Sequence, residues 1–321
     1  MRSALIGFVV LAAAAAAPVF ASPESSSLRY AALGDSVAAG EGLARSGGAE
    51  GRACHRSSQA YPSLLARRKP FAGLHAGFLN VTCSEATTAD VLNRWQRAPG
   101  GRTVPPQLAR LRQASPDVVT LTVGLNDLGW DAVLLACLTP SSPSSAGIEE
   151  WAQRCQSHDA RVQSGLRRVG ANLPKILAWL SARSPRPLVL VTGYYDPWPA
   201  EADVSHCSAA HGDLASVVFP VAIENGNLAR LRAWAMQLDA LLARVAGRGG
   251  AVFVPLADAF AGHTFCSRDE WLFYPSEANL QSLAAFHPTA QGQRRIADLV
   301  ARAALAARCC GSSAPPESGS R

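Results

Sequence analysis

A serine, an asparagine and a histidine stand in three well-separated blocks of the sequence. Ser36 ends a Gly-Asp-Ser block that follows the apolar run Arg29–Leu33. Asn126 lies in a Gly-Leu-Asn-Asp block after a second apolar run, and His287 lies in a Phe-His-Pro-Thr block before a helical pattern. Because the carboxyl ends of parallel strands meet at one edge of an α/β sheet, we expect these three side chains at one rim.

The three residue types suit acyl transfer. A histidine takes the proton of a serine hydroxyl near neutral pH, and an amide donates a hydrogen bond to the oxyanion that then forms. Each block also has an ordinary structural interpretation, since Gly-Asp-Ser and Asn-Asp are common in turns and a histidine can simply begin a helix. The chain has no Gly-x-Ser-x-Gly match, which argues against an α/β-hydrolase nucleophile elbow.

Strand-like and helical patterns alternate along the chain. Strands are predicted at about residues 29–33, 78–82, 118–123, 188–192 and 251–256, and long helices at about 159–182, 227–246 and 289–307. Such alternation is typical of a parallel sheet covered by helices on both faces. No internal repeat or domain linker is visible, so the sequence predicts one α/β domain.

In their order and context the three blocks resemble the SGNH (GDSL-type) hydrolase family, named for a serine, a glycine, an asparagine and a histidine in separate blocks. The resemblance covers residues from Leu28 to about Arg308 and is closest to a secreted bacterial esterase and lipase branch with a Ser-His dyad. It implies a three-layer α/β/α, flavodoxin-like fold with a central, mostly parallel five-stranded sheet.

The resemblance also implies a role for each site residue. Ser36 would be the nucleophile and His287 its general base. The oxyanion donors would be the backbone N–H of Ser36, the side-chain amide of Asn126 and a backbone N–H in the second block, at Glu85. No metal or organic cofactor is implied.

The second block departs from the family pattern at Glu85. Residues Cys83–Thr87 read Cys-Ser-Glu-Ala-Thr, where the family has Cys-Ser-Gly-Ala-Thr. A backbone donor needs glycine only where φ is positive or a ligand approaches closely. The carboxylate of Glu85 would oppose a nearby oxyanion unless the side chain turns outward to solvent.

A second departure concerns the group that orients the histidine. Many family members have an aspartate three positions before the histidine, but this position is Ala284 here. Some secreted members use a backbone carbonyl instead, and the carbonyl of Ala284 is the candidate. Asp258 and Glu277 stay open as carboxylates that reach His287 from elsewhere.

Other residues near the three blocks allow two interpretations. Asp35 and Asp127 are expected to bind backbone N–H groups in their loops rather than to transfer protons. An apolar group near the strand ends could line an acyl pocket or could anchor the core and loops. Its members are Leu128, Trp130, Tyr194, Tyr195 and Trp198.

The eight cysteines indicate disulfides in an exported protein. Six lie in the body of the chain, and the sequence alone permits about 15 pairings of them. The resemblance implies successive pairing, namely Cys54 with Cys83, Cys137 with Cys155, and Cys207 with Cys266. The state of the adjacent Cys309 and Cys310 stays open. His206, Cys207 and His211 lie close together, but no CxxC pair supports a zinc site.

The N-terminus predicts export. A charged start, an apolar stretch and Val-Phe-Ala fit a signal peptide at residues 1–21, with a membrane anchor as the alternative. The catalytic domain is then residues 22–308, and residues 309–321 form a disordered tail. Of the 30 basic residues only two are lysines, and the arginines are scattered, which argues against nucleic-acid binding. We expect a secreted monomer that contacts lipid surfaces at most transiently.

The preferred interpretation is therefore a secreted serine esterase or lipase acting on carboxylic esters through an acyl-serine intermediate. Lipid esters and short-to-medium acyl esters are the expected substrates. A phospholipase or an acetyl-sugar esterase is the alternative within the enzyme class. A degenerate family member that binds lipid or carbohydrate without hydrolysis is the alternative outside it, because Glu85 and Ala284 depart from the pattern.

Overall fold

Five parallel strands form a buried sheet at the centre of the molecule. The computed structural model describes residues 29–68, 77–138, 145–199 and 221–310. The strands are β1 (Tyr30–Gly34), β2 (Phe78–Asn80), β3 (Gln96–Arg97), β4 (Thr103–Val104), β5 (Val118–Thr122), β6 (Leu188–Thr192) and β7 (Val252–Val254). The central sheet has the order β2-β1-β5-β6-β7, while β3 and β4 form a separate antiparallel pair.

The sequence predicts this sheet because its strands are apolar at nearly every position. All residues of β1 and β5 are buried, which is typical of a parallel sheet covered on both faces. The five predicted strands are all present, and the three-layer α/β prediction is confirmed. The strands β2 and β7 are shorter than predicted, with three residues each.

Helices cover the sheet in two groups. The last helix packs against the helix Tyr61–Leu65 and over β6 and β7. The helices Asp159–Ser181 and Asn227–Arg248 pack against each other, and the second of them also contacts β6 and β7. The helices are α1 (Ser36–Ala39), α2 (Ala49–Ala53), α3 (Tyr61–Leu65), α4 (Thr88–Leu92), α5 (Gln107–Arg110), α6 (Trp130–Leu138), α7 (Ser145–Gln156), α8 (Asp159–Ser181), α9 (Asn227–Arg248), α10 (Glu277–Gln281) and α11 (Ala290–Cys310). No helix among the described residues has the length and apolar character needed to cross a bilayer.

Some predicted boundaries lie outside the described residues or differ from the structure. The predicted signal peptide at residues 1–21 and the tail from residue 311 onward are outside them. The last helix continues to Cys310. It therefore runs beyond residue 308, where we expected the domain to end.

Two disulfides join neighbouring segments as predicted. Cys54 is bonded to Cys83, and Cys137 is bonded to Cys155. Cys266 is also disulfide-bonded, but Cys207, its predicted partner, lies outside the described residues. The first bond connects the end of α2 to the segment that follows β2, and the second connects α6 to α7.

Candidate active site

Ser36 stands where β1 ends and α1 begins. It is the first residue of α1, so its backbone N–H has no acceptor within the helix. Gly34 makes the sharp exit from β1 with φ +140°, and a Cβ there would lie 2.3 Å from the carbonyl oxygen of Thr122 on β5. Gln107 donates to the carbonyl of Gly34 and accepts from its N–H, at 2.9 and 2.7 Å. These contacts fix the half-buried Ser36 at the carboxyl edge of the sheet.

Asp35 caps this short helix from inside the protein. Its Oδ1 accepts from the backbone N–H of Val37 at 3.1 Å, and its Oδ2 accepts from the hydroxyl of Tyr194. The hydroxyl oxygen of Tyr194 also accepts from the N–H of Leu125, three residues after the end of β5. Burial raises the pKa of Asp35 to about 7, although these hydrogen bonds oppose the rise. The expectation that Asp35 binds loop backbone is confirmed.

His287 faces the serine directly. Its Nε2 lies 2.8 Å from Oγ of Ser36, and its Nδ1 lies 3.1 Å from the carbonyl oxygen of Ala285. The carbonyl of Ala284, the expected acceptor, instead accepts the backbone N–H of His287 at 3.0 Å. Both carbonyls face the ring and favour its protonated form. The carbonyl in contact with Nδ1 is therefore that of Ala285, one residue beyond the expected Ala284, and the orienting role of a backbone carbonyl stays a prediction.

Burial lowers the pKa of His287 below its usual value. The carboxylates of Glu41 and Asp131 and the two backbone carbonyls oppose this shift. A lowered pKa keeps the imidazole neutral near pH 7, which is the form that accepts a proton from serine. Asp258 is exposed and makes no hydrogen bond to His287, while the side chain of Glu277 lies outside the described residues.

Aromatic side chains hold the segment that carries His287. Phe286 has φ +67° and packs edge-on against Trp198 and Phe265. Its carbonyl accepts from the hydroxyl of Tyr195 at 2.8 Å. Tyr195 and Trp198 therefore anchor this segment, and Tyr194 anchors Asp35, so these three aromatics follow the core-and-loop interpretation rather than the pocket interpretation.

The remaining two members of the predicted acyl pocket lie close to the third block. Leu128 is fully buried, and Trp130 is half-buried at the start of α6. Asn126, the predicted oxyanion donor, precedes them in a short 3-10 turn after β5. Its Nδ2 donates one hydrogen bond to the carbonyl of Ala86 at 3.0 Å. A primary amide has two N–H groups, and this hydrogen bond uses one of them.

Glu85 has the backbone conformation of a glycine. Its φ is +67°, in the left-handed region, and its side chain is exposed. Its own N–H finds no acceptor among the described residues. The N–H of Cys83 donates to the carbonyl of Gly34, and the N–H of Ser84 donates to the carbonyl of Cys54. The second block is therefore tied to the end of β1 and to α2, with the carboxylate of Glu85 turned to solvent.

The third block is tied to the second by an aspartate. Asp127 accepts from both the backbone N–H and the hydroxyl of Thr88, at 2.8 and 2.6 Å. This confirms the structural interpretation of Asp127. Together with the amide of Asn126, it fixes the second and third blocks relative to each other beside Ser36.

The described residues contain no group of three or more histidine, cysteine, aspartate or glutamate side chains arranged to hold a metal ion. His206, Cys207 and His211 lie outside the described part of the chain.

Sequence reasoning missed two site features. One is the acceptor role of Ala285, which depends on the turn between α10 and α11. The other is a buried pair of Glu41 and His55, whose Oε2 and Nδ1 lie 2.7 Å apart close to the site. The available signals were the Gly-Glu-Gly run just after Ser36 and a histidine directly after Cys54.

Comparison with known proteins identifies the family of this chain. The model of the GDSL-like lipase/acylhydrolase family matches residues 32–295. The chain therefore belongs to this family, and its enzyme class is that of carboxylic ester hydrolases.

Relatives from Streptomyces match over most of their length. Lipase 2 of Streptomyces coelicolor is 32% identical over 293 residues, covering 89% of this chain and 88% of that protein. A lipase of Streptomyces rimosus is 28% identical over 295 residues, covering 91% of this chain and 92% of that protein. The crystal structure of an extracellular lipase from Streptomyces rimosus superposes with a TM-score of 0.62 at 26% identity, covering 86% of this chain and 99% of that one.

Proposed function

We propose that this carboxylic ester hydrolase works through an acyl-serine intermediate formed on Ser36, with His287 as the general base. The observation that carries the proposal is the 2.8 Å contact between Oγ of Ser36 and Nε2 of His287. The carbonyl of Ala285 at Nδ1 fixes the tautomer in which Nε2 is free to accept a proton.

In the first half of the reaction, Nε2 of His287 takes the hydroxyl proton as Oγ of Ser36 bonds to the ester carbonyl carbon. The oxyanion receives hydrogen bonds from the N–H groups of Ser36 and Glu85 and from the amide of Asn126. The imidazolium then gives its proton to the leaving alcohol as the carbon–oxygen bond breaks. In the second half, water loses a proton to His287 and attacks the acyl-serine, and the same proton returns to Oγ as the acid leaves.

Lipid esters and short-to-medium acyl esters are the substrates that we propose. The two Streptomyces relatives called lipases, at 28% and 32% identity over most of the chain, support this assignment. The formed contact between Ser36 and His287 and the outward turn of Glu85 both count against a degenerate, non-hydrolytic family member.

We also propose that the enzyme is secreted as a monomer and meets lipid surfaces only transiently. Support comes from the signal-peptide pattern at residues 1–21 and from the disulfides Cys54–Cys83 and Cys137–Cys155, which persist in oxidising compartments. The related Streptomyces rimosus lipase is described as extracellular.

The test is hydrolysis of a chromogenic ester series from acetyl to palmitoyl, with Ser36→Ala measured beside the natural enzyme. We expect turnover by the natural enzyme and a loss of about 10⁴-fold or more in Ser36→Ala, because only binding and the oxyanion donors remain. The chain length with the highest kcat/KM separates an esterase from a lipase.

Asp298→Asn, which changes an exposed side chain on α11, serves as the matched control and should keep full activity. Turnover by Ser36→Ala equal to that of the natural enzyme would exclude the acyl-serine mechanism. Hydrolysis confined to phospholipids or acetylated sugars would replace the proposed substrate class with one of the two alternatives.

A further inference from the structure

A buried acid–histidine pair lies beside the proposed dyad and has no part in the mechanism described so far. Glu41 and His55 are 2% and 4% exposed. Nδ1 of His55 lies 2.7 and 2.9 Å from the two carboxylate oxygens of Glu41. Burying such a pair is costly unless its polar atoms are satisfied, so a pair that contributes only to folding is readily replaced by apolar residues.

The backbone places Glu41 directly between the serine and the histidine segments. Its N–H donates to the carbonyl of Ser36 at 3.0 Å, at the end of α1. The next residue, Gly42, packs so closely on the histidine segment that a Cβ there would lie 2.9 Å from Cβ of Ala284. Glu41 is therefore fixed to the serine segment by its own N–H, and its neighbour Gly42 packs on the segment that carries His287.

Among the described side chains, no carboxylate contacts Nδ1 of His287 as a direct counter-ion for the cation that forms during the reaction. When His287 takes the serine proton, the imidazolium has only the neutral carbonyl of Ala285 at Nδ1. A buried cation of this kind gains from a carboxylate even without direct contact, because the protein interior screens charge less than water does.

We propose that Glu41 is a positioning residue for the reaction: its carboxylate, held in place by His55, stabilises the protonated form of His287. This inference rests on the proposed Ser36–His287 function and deepens it. Glu41 takes over, from a different element, the electrostatic role of the aspartate that is absent at Ala284.

The charged groups around His287 agree with this role. Glu41 is the main carboxylate that raises the pKa of His287 against the lowering effect of burial, and Asp131 on α6 is the second. Glu85 is the other acid near the pair, and its own pKa is raised by burial and by Asp131 and Glu41. Asp131 and Glu85 are exposed and lie on the solvent side, where salt screens their effect.

The experiment compares Glu41→Gln, His55→Asn and the control Asp298→Asn with the natural enzyme. Glutamine keeps an acceptor for Nδ1 of His55 and removes only the charge. Asparagine keeps a donor for Glu41 and suits the left-handed backbone of His55, whose φ is +56°. The pH dependence is measured for two reactions: ester hydrolysis and covalent labelling of Ser36 by a fluorophosphonate, which reports the dyad without an ester substrate.

His287 acts in its neutral form, so both rates rise as pH rises through its pKa. Removing the Glu41 charge lowers that pKa, and we expect the acid limb of Glu41→Gln to move to lower pH by about 0.5–1 unit. The plateau kcat should fall about three- to tenfold with KM unchanged, because the same charge interaction is lost in the transition state. His55→Asn should not shift the acid limb of the pH profile to lower pH. Asp298→Asn should leave both the position of the acid limb and the plateau rate unchanged.

An acid limb that stays in place in a folded Glu41→Gln variant would overturn the inference, whatever the rate. If Glu41→Gln does not fold, the double variant Glu41→Gln/His55→Asn replaces it, because its two neutral side chains can hydrogen-bond to each other, and an acid limb that stays in place in this variant overturns the inference. A natural enzyme that the fluorophosphonate does not label would instead overturn the Ser36–His287 function, and this inference with it.

Discussion

Glu85 carries a carboxylate at a backbone position that favours glycine. A left-handed residue with a Cβ costs about 1–2 kcal/mol, and part of that cost returns because glycine loses more freedom on folding. Partial burial and the neighbouring Asp131 and Glu41 raise the pKa of Glu85, which shows that its charge is disfavoured here. The residue therefore combines backbone strain with a negative charge near the proposed oxyanion donors.

Replacing this side chain with the family's usual residue should improve the enzyme. We expect Glu85→Gly to raise the free energy of unfolding by about 0.5–1 kcal/mol, because relief of the left-handed strain exceeds the added chain entropy. Because the carboxylate is exposed and turned to solvent, the gain in kcat should be small, about twofold at most. Urea denaturation and ester hydrolysis measure the two effects.

Glu85→Gln separates the two causes. It removes the charge and keeps the strained Cβ, so it should match Glu85→Gly in kcat and gain only the part of the stability that comes from removing the disfavoured charge. Equal stability of the glycine and glutamine variants would show that the left-handed backbone at residue 85 costs nothing measurable.

For single residues, the sequence predicts which residue types form the site better than it predicts their geometry. It identifies Ser36, Asn126 and His287 by type and context, and the structure brings Nε2 of His287 to 2.8 Å from Oγ of Ser36 and places Asn126 after β5, the strand that pairs with β1. It does not distinguish Ala284 from Ala285 as the acceptor for Nδ1, because that choice depends on a turn whose φ values, including +62° at Leu283 and +67° at Phe286, are set by packing. Those residues have no sequence signal for a left-handed backbone.

Among the elements, α1 depends most on a single buried side chain. Asp35 is 1% exposed, and the hydroxyl of Tyr194 donates to it. The N–H of Tyr194 donates in turn to Asp239 on α9, and burial raises the pKa of Asp239 to about 7 as well. The helix that begins at Ser36 is thus connected to α9 through Tyr194, the buried Asp35 and the half-buried Asp239.

The raised pKa of Asp35 makes the folded protein less stable as pH rises. An aspartate titrates near 3.9 when unfolded and at about 7 here, so the folded state holds the proton more tightly between these values. Its contribution to stability is present below about pH 4 and is lost as pH rises through about 7. We expect Asp35→Asn, which keeps an acceptor for Val37, to gain stability relative to the natural protein between pH 5 and 8.

The difference in free energy of unfolding between Asp35→Asn and the natural protein should grow by up to about 1.4 kcal/mol per pH unit, the slope for one proton. Urea denaturation at several pH values measures it. Asp298→Asn, an exposed acid, should follow the natural curve instead. A difference between Asp35→Asn and the natural protein that stays constant with pH would mean that Asp35 is already ionised at pH 5.

Element boundaries follow the sequence where the pattern is long and regular. Helix α8 is Asp159–Ser181 against a prediction of residues 159–182, and α9 is Asn227–Arg248 against 227–246. The short α2 inside a glycine-rich stretch was missed, because its five residues are held by the bridge between Arg45 and Ser57 and by Cys54 rather than by an apolar periodicity.

At the scale of the whole molecule, the two described disulfides should contribute similarly to stability and differently to catalysis. They close loops of 29 and 18 residues, so each should add about 3–4 kcal/mol by restricting the unfolded chain. The Cys54–Cys83 bond precedes the proposed donor at Glu85 by two residues, whereas Cys137–Cys155 joins α6 and α7.

We therefore expect the double variants Cys54→Ala/Cys83→Ala and Cys137→Ala/Cys155→Ala to lose comparable stability in urea denaturation. Only the first should also lose kcat, by about tenfold or more, because a donor displaced by a fraction of an ångström stabilises the oxyanion poorly. An equal kcat for the two double variants below their unfolding transitions would refute this role of the Cys54–Cys83 bond.

Ser36 and His287, the two members of the proposed dyad, are 251 residues apart in the chain. During biosynthesis Ser36 emerges early and His287 only after nearly the whole domain has been translated. A nascent chain that ends anywhere before residue 287 has no base for its serine, however well its first strands have paired. On the proposed mechanism, chains that end before residue 287 cannot cleave esters. The producing cell is therefore exposed to the activity only when synthesis of the domain is essentially complete.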